Sequence, residues 1–203
     1  MNKVKTKGYE RRSKILDTAF RMATSDGLSG LSIGGLAKAV GMSKSGLFAH
    51  FKSKEALQKE VLEQGVAEII DQVIRPSIIL PRGEKRLRAL FTNWLNWAAD
   101  SEKNPGGCIF LAASMELDDQ PGLLRDYLTE TQCDWIDSIK RVLHSGIQAG
   151  DFRSDLDVDQ VAFAFHGALM SFHFYKRLLR DPNAYDRAKA QLESIMADVL
   201  LKT

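Results

Sequence analysis

Side chains suited to polar contacts with another molecule concentrate between Gly41 and Lys54, in the stretch GMSKSGLFAHFKSK. Hydroxyl and ammonium groups of this kind are donors that bind phosphate oxygens and base edges. Residues 1–60 hold 12 Lys and Arg against 5 Asp and Glu, whereas the rest of the chain is net acidic. This basic end predicts a polyanionic partner, with a solvated charged surface as the alternative.

Residues that could support catalysis or metal binding form no convincing group. His166 and His173 are seven residues apart, which is about 10 Å along a helix and too far to share one metal ion. Cys108 and Cys133 do not form a metal-ligand pair, and Cys108 is interpreted as a small core residue rather than a redox switch. The run from Gly41 to Ser45 lacks the second glycine of a nucleophile elbow, and no Walker-type phosphate loop occurs. We therefore predict no enzymatic activity, no cofactor and no metal.

Composition and hydropathy place the chain among ordinary globular proteins. It has 44% hydrophobic and 27% charged residues, typical of a domain with a full core. The first twenty residues contain no uninterrupted apolar region of the kind found in secretory signals, and no segment approaches the roughly 20 apolar residues of a membrane span. The predicted location is the cytoplasm, with no membrane partner.

Apolar residues recur at helical spacing along almost the whole chain, which predicts an all-α fold of about nine helices. Ile15, Ala19 and Ala23 form the first such stripe. Serine caps, glycine stops and Pro76 bound the first four helices. Their ranges are about 10–25, 33–40, 43–49 and 53–74. Five more helices are predicted over about 84–100, 108–117, 123–149, 156–180 and 184–201. The natural division is a basic module of residues 1–54 and a larger bundle of residues 55–203.

The second and third helices have the features of a helix-turn-helix. Ala37 is small enough for two helices to cross closely, Gly41 suits a turn that requires positive φ, and Leu47 provides an apolar anchor under the second helix. In such a motif the second helix enters the major groove of DNA, with its N-terminal residues nearest the bases.

The segment from Arg12 to Leu62 resembles the DNA-binding module of the TetR/AcrR family of transcriptional regulators. A first helix of the type ILDTAFRMATSDG is followed by LSIGGLAKAVGMSKSGLFAHFKSKEAL. The usual family run is close to G-V-S-x-x-x-L-Y-x-H-F-x-x-K, and the matching residues here are Gly41, Met42, Ser43, Leu47, Phe48, His50, Phe51 and Lys54. The resemblance covers about a quarter of the chain.

Carried over position by position, the resemblance implies two sets of DNA contacts. Ser43, Lys44 and Ser45 would open the recognition helix and reach base edges or phosphates. His50 would contact a backbone phosphate, and Ser32 and Lys54 would add phosphate contacts at helix N-termini.

Three features depart from the family pattern or stay open. Phe48 stands where the family commonly has Tyr, so a hydroxyl bond to phosphate is missing while the ring can still pack or touch a thymine methyl group. Gly34 and Gly35 weaken the second helix by roughly 1 kcal/mol each relative to Ala, without an evident reason in the sequence. The lysines before residue 8 form either an arm along the phosphates or a disordered tail.

The segment from Val158 to Tyr175 is apolar around most of its circumference, which predicts burial on two sides. The second surface is either the chain's own core or a partner chain. The resemblance implies a homodimer joined by the last two helices, whose twofold symmetry matches a palindromic operator. The predicted interface residues are Val161, Phe165, Ala168, Leu169, Phe172, Leu192 and Ile195.

Large side chains with a few polar tips are frequent in the C-terminal part, and they suit either a packed core or a small-molecule pocket. The resemblance favours a pocket between the fifth and eighth helices. The predicted lining consists of Trp94, Trp97, Phe110, Met115, Trp135, Phe163, His166, Met170 and Phe174.

Taken together, these features predict a ligand-responsive DNA-binding transcriptional regulator. The expected mode of action is repression from a palindromic double-stranded operator, with release by a small hydrophobic or aromatic effector. An all-α enzyme acting on a hydrophobic substrate and a nonspecific DNA-binding protein are the alternatives.

Overall fold

A computed structural model describes residues 7–201 of the 203-residue chain. The helices are α1 Lys7–Asp26, α2 Ile33–Ala39, α3 Lys44–Phe48, α4 Lys54–Ile69, α5 Arg75–Ile78, α6 Glu84–Ala99, α7 Ile109–Leu117, α8 Leu123–Ala149, α9 Val158–Arg177 and α10 Ala184–Val199. A π-helical turn, Ile70–Ile74, joins α4 to α5 without a break, so the described residues form nine continuous helical segments. The predicted all-α fold is confirmed. Lys3 and Lys5 lie outside the described residues, as does the side chain of Lys7.

The fourth helix continues past Pro76, where the sequence predicted its end. Proline has no N–H to donate within a helix. The π turn accommodates this by shifting the hydrogen-bond register, since Arg75 N donates to Ile70 O, five residues earlier. The buried Ser77 hydroxyl also donates to Val73 O at 2.6 Å. A proline near the start of a new helical turn is tolerated, so the helical segment extends to Ile78.

The chain divides into two compact units. The first unit comprises Met1–Ala67 and Ser101–Leu128, and the second unit comprises Glu68–Asp100 and Thr129–Thr203. Neither unit is a single continuous stretch of the sequence.

In the first unit, the apolar stripe of α1 packs inward as predicted. Ile15, Ala19, Phe20 and Ala23 are buried, and Leu16 on the same stripe is half-buried. Polar pairs along the edge tie α1 to α4: Arg12 pairs with Glu60, and Gln64 Nε2 donates to Asp17 Oδ1 at 2.9 Å. These pairs hold α1 against α4, and α2 packs in turn against α1 and α3.

In the second unit, aromatic side chains join α6 to α9. The Phe91 and Phe165 rings meet edge to face with centroids 5.0 Å apart, and Trp94 meets Phe172 in the same way at 6.3 Å. Edge-to-face pairs of this kind add to the free energy gained from apolar burial. The helices α9 and α10 pack side by side, and Asp157 caps α9 by accepting from Gln160 N at 3.0 Å. Within residues 7–201, no helix combines the length and apolarity that a membrane span requires.

Candidate nucleic-acid interface

The turn between α2 and α3 has the geometry of a helix-turn-helix. Gly41 adopts φ +66°, which favours glycine because it has no Cβ. Its N–H donates to Lys38 O at 3.4 Å, and the following Met42 N donates to Ala37 O at 2.9 Å. These two bonds end α2 in a Schellman motif. Ala37 and Leu47 are both buried beneath the turn, as the sequence predicted.

One face of α3 is anchored and the other is open to solvent. Leu47 has no exposed surface, whereas Lys44 and Ser45 are exposed and Phe48 keeps 50% of its surface accessible. Tertiary packing rather than intrinsic propensity holds a helix of this length. The exposed side thus presents an ammonium group, a hydroxyl group and an aromatic ring next to one another.

The N-termini of α2 and α3 carry serine caps. Ser32 Oγ accepts from Gly35 N at 3.0 Å, and Ser43 Oγ accepts from Gly46 N at 3.1 Å and lies 3.2 Å from Ser45 Oγ. A capping hydroxyl accepts from the backbone, so its own proton remains a donor. Ser32 and Ser43 can therefore cap their helices and still donate to a phosphate oxygen.

The structure provides a reason for the adjacent glycines of α2. A Cβ at Gly34 would lie 3.1 Å from Cε of Lys44, and a Cβ at Gly35 would lie 3.0 Å from the capping Ser32 Oγ. Gly34 leaves room for the Lys44 side chain at the start of α2, and Gly35 leaves room for the capping hydroxyl group of Ser32. This contact could not be predicted from the sequence because it joins two helices.

The remaining predicted DNA contacts lie at the end of α3 and the start of α4. His50 is half-buried, and its ring centroid is 6.4 Å from that of Phe51. Lys54 is exposed, and its Nζ donates to Ser29 O at 2.6 Å. A lysine ammonium carries three donor protons, so this bond leaves capacity for a phosphate contact.

The side chains predicted to line a ligand pocket are divided between the two units. Phe110 and Met115 belong to the first unit and the other seven to the second. The buried members are Trp94, Trp97, Phe110 and Trp135; the half-buried members are His166 and Met170; the exposed members are Met115, Phe163 and Phe174. Of these, the two tryptophans of α6 lie close together, with ring centroids 6.3 Å apart. Trp97 also donates to Glu68 Oε2 at 3.3 Å.

Burial shifts the pKa values of three groups that the sequence singled out. Desolvation lowers the pKa of His166, and desolvation together with Arg177 lowers that of His173 to about 4. Both shifts favour the neutral imidazole. Burial raises the pKa of the Cys108 thiol to about 12, the opposite of the shift that a reactive cysteine needs. Cys108 therefore packs as a small core residue.

The seven residues predicted for a dimer interface are all buried within the single chain. Two of them, Phe165 and Phe172, pack against α6, as the Phe91–Phe165 and Trp94–Phe172 ring pairs show. The opposite face of α9 is the solvent-facing one: Phe163 keeps 75% of its surface accessible and Phe174 keeps 49%. Sequence periodicity could not decide between the two faces because both are apolar.

A groove of about 440 Å³ runs between α9 and α10 on the solvent side. Small residues form much of its lining, including Ala164, Gly167, Ala184 and Ala188. A Cβ built on Gly167 would have no heavy atom within 4 Å. This part of the groove is therefore open enough to receive side chains from another molecule.

The buried anchor, the glycine turn and the exposed polar face of α3 define a helix-turn-helix DNA-binding protein. Residues 15–61 match the family described as bacterial regulatory proteins, tetR family, and residues 83–192 match the tetracyclin repressor-like C-terminal domain. The chain belongs to the TetR family of bacterial transcriptional regulators. The predicted family and the predicted class of DNA-binding regulator are confirmed.

Individual proteins are similar to this chain in sequence or in fold. The HTH-type transcriptional repressor KstR2 of Mycobacterium tuberculosis is 28% identical over 170 residues, covering 79% of this chain and 78% of KstR2. A TetR-family regulator from Cytophaga hutchinsonii has a similar structure, with a TM-score of 0.84 at 22% identity, covering 99% of this chain and all of that one. The structure of AibR, solved with isovaleryl coenzyme A and operator DNA, gives a TM-score of 0.75 at 21% identity over 93% of this chain and 99% of AibR.

Proposed function

We propose that this regulator is a cytoplasmic homodimeric repressor that binds a palindromic operator and is released by a small hydrophobic or aromatic effector. Residues 1–54 would bind DNA, and residues 55–203 would bind the effector and form the dimer. The observation that carries the proposal is the exposed face of α3, where Lys44, Ser45 and Phe48 lie over the buried Leu47. A short helix anchored from one side is suited to enter a major groove.

The DNA-binding part of the proposal is tested by mobility shift with the DNA that flanks the protein's own gene. Wild-type protein should retard this fragment and bind a scrambled fragment more weakly. No retardation at low salt would refute the proposed operator binding. Equal affinity for scrambled DNA would support a nonspecific DNA-binding protein instead.

The variant Lys44→Ala tests the recognition helix directly. Loss of one lysine–phosphate contact should weaken operator binding and reduce the slope of log K against log salt by about one unit. Binding measured by fluorescence anisotropy at several salt concentrations gives this slope. A binding curve that matches that of wild type at every salt concentration would show that Lys44 does not contact the DNA.

The homodimer is proposed to form on the solvent side of α9 and α10. The groove lined by Gly167 and its small neighbours, together with the exposed ring of Phe163, offers both a depression and a projection on one surface. A twofold interface pairs such complementary features with themselves. Of the seven buried residues listed above, Ala168 and Phe172 also line this groove.

The effector is proposed to bind in the second unit near Trp94 and Trp97, where aromatic surface and the Glu68 carboxylate lie together. A thermal-shift screen of aromatic and lipophilic compounds tests this, because binding to the native state raises the unfolding midpoint with concentration. Isovaleryl coenzyme A belongs in the screen because AibR was solved with it. A compound that raises the unfolding midpoint should also release the operator fragment from the protein.

A further inference from the structure

The turn between α1 and α2 is held by side chains from two other helices. From α4, Lys54 Nζ donates to Ser29 O at 2.6 Å and Gln58 Nε2 donates to Leu28 O at 2.7 Å. From α7, the Glu116 carboxylate accepts from both N–H groups: Leu28 N lies 3.0 Å from Oε1 and Ser29 N lies 2.7 Å from Oε2. The backbone N–H and C=O groups of both Leu28 and Ser29 are therefore all hydrogen-bonded to side chains.

The backbone of the turn is shaped for this carboxylate. Gly27 adopts φ +82°, and a Cβ there would lie 2.7 Å from Glu116 Oε1. Glycine at this position thus permits both the backbone conformation and the approach of the carboxylate. Two successive N–H groups that converge after a left-handed residue form an anion-binding concavity, and here its occupant is a side chain 87 and 88 residues further along the chain.

A second contact fixes the segment before α7 to the same region. Gly106 packs directly against the Thr24 carbonyl near the end of α1, and Gly106 N lies 3.4 Å from Thr24 Oγ1. The Leu28–Ser29 turn precedes the α2 cap Ser32 by only three residues. Any movement of α7 that carries Glu116 away therefore alters the support of the helix that leads into the DNA-reading α3.

We propose that Glu116 is a positioning residue for DNA recognition, through which α7 controls the placement of α2 and α3. The inference rests on the proposed operator binding and adds the residue that regulates it. With the carboxylate on the turn, the reading helices are held in the arrangement that binds DNA. Withdrawal of α7 frees two backbone N–H groups and releases this arrangement.

The strength of the contact suits a regulatory role. Hydrogen bonds to an ionised acceptor are stronger than neutral ones, yet the bond to Ser29 is solvent-exposed and the bond to Leu28 only partly buried. Coupling between an effector site and a DNA site usually changes affinity by roughly 5- to 150-fold. A pair of such bonds is sufficient for a change of this size and weak enough for an effector to reverse.

The test compares Glu116→Gln with Asp119→Asn in the full-length protein, using the flanking DNA fragment as the probe. Each variant removes one negative charge from the same stretch, and Asp119 is exposed. General electrostatics predicts slightly tighter DNA binding for both variants. The glutamine amide of E116Q would place donor protons against a backbone N–H group, so our inference predicts the opposite sign for this variant, about ten-fold weaker binding.

The concentration of folded protein and the thermal midpoint are measured for each sample. A purely structural role of Glu116 would lower the thermal midpoint of E116Q and leave its DNA affinity per folded molecule unchanged, and this result would overturn the inference. DNA binding by E116Q that is as tight as that of D119N would also overturn it. If E116Q folds poorly, Glu116→Asp serves instead. It keeps the charge but shortens the reach, and weaker binding is again expected while unchanged binding refutes the inference. Failure of the wild-type protein to bind the fragment would refute the proposed operator binding itself.

Discussion

At the scale of single residues, Phe48 is the side chain most able to give this regulator its own DNA preference. It keeps half of its surface exposed beside Lys44 on α3, and it has no hydroxyl group with which to bind a phosphate. An exposed ring near the bases can instead make apolar contact with a thymine methyl group. Its contribution should therefore depend on the sequence of the operator.

The variant Phe48→Ala should bind the operator about five-fold more weakly, since an apolar contact of this size contributes on the order of 1 kcal/mol. Its thermal midpoint should stay close to that of wild type because the ring is half-exposed. Anisotropy titrations with normal and uracil-substituted operator provide the control, as uracil lacks the methyl group. Wild type should lose affinity for the uracil operator and Phe48→Ala should not; equal losses for both proteins would contradict the contact.

At the scale of elements, the reading helices depend on glycines that serve different purposes. Gly41 is required by its backbone, because φ is +66° while a Cβ there would meet no heavy atom within 4 Å. Gly34 lies within α2 and provides room for Lys44. The same substitution at the two positions should therefore have opposite effects on stability.

Gly34→Ala should raise the thermal midpoint by about 2–4 °C, because alanine favours a helix by about 1 kcal/mol over glycine and the flexible end of Lys44 can move aside. Gly41→Ala should lower the midpoint, since a side chain in the left-handed region costs about 1–2 kcal/mol. Calorimetry of the two variants under identical conditions measures both shifts. Midpoint shifts of the same sign would show that the stability effects at Gly34 and Gly41 are not set by their different backbone conformations.

At the scale of the whole molecule, the open surface at Gly167 allows the proposed dimer to be tested apart from the fold. A Cβ added there meets no heavy atom of the single chain within 4 Å, and a large side chain would extend into the groove between α9 and α10. Gly167→Trp should therefore shift the protein from dimer to monomer in sedimentation experiments. Binding to a two-half-site operator should weaken as well, because a monomer presents only one recognition helix.

Gly167→Ala is the matched control for this prediction. Its methyl group is small and alanine favours the helix, so the dimer and operator binding should persist. If Gly167→Trp sediments as a dimer, the interface lies elsewhere on the chain.

The helices, the helix-turn-helix and the family could all be predicted from the amino-acid sequence. These features depend on residues close together in the chain: the stripe of Ile15, Ala19 and Ala23, the turn at Gly41 and the anchor Leu47. Periodicity and caps act over a few residues, so the sequence displays them directly. The end of the fourth helix was missed because the π turn offsets the effect of Pro76, which local rules treat as a stop.

Two features depend on the packing of distant segments: which apolar face of α9 is buried, and which residues support the DNA-reading helices. From the sequence, the buried face could be either the one that carries Val161 and Phe165 or the one that carries Phe163 and Gly167. The structure shows that the first face is buried, because Phe165 packs against α6. Glu116 reaches Leu28 and Ser29 across more than eighty residues of chain. Neither periodicity nor a local motif marks such a contact, because it exists only after distant segments have folded into one compact unit.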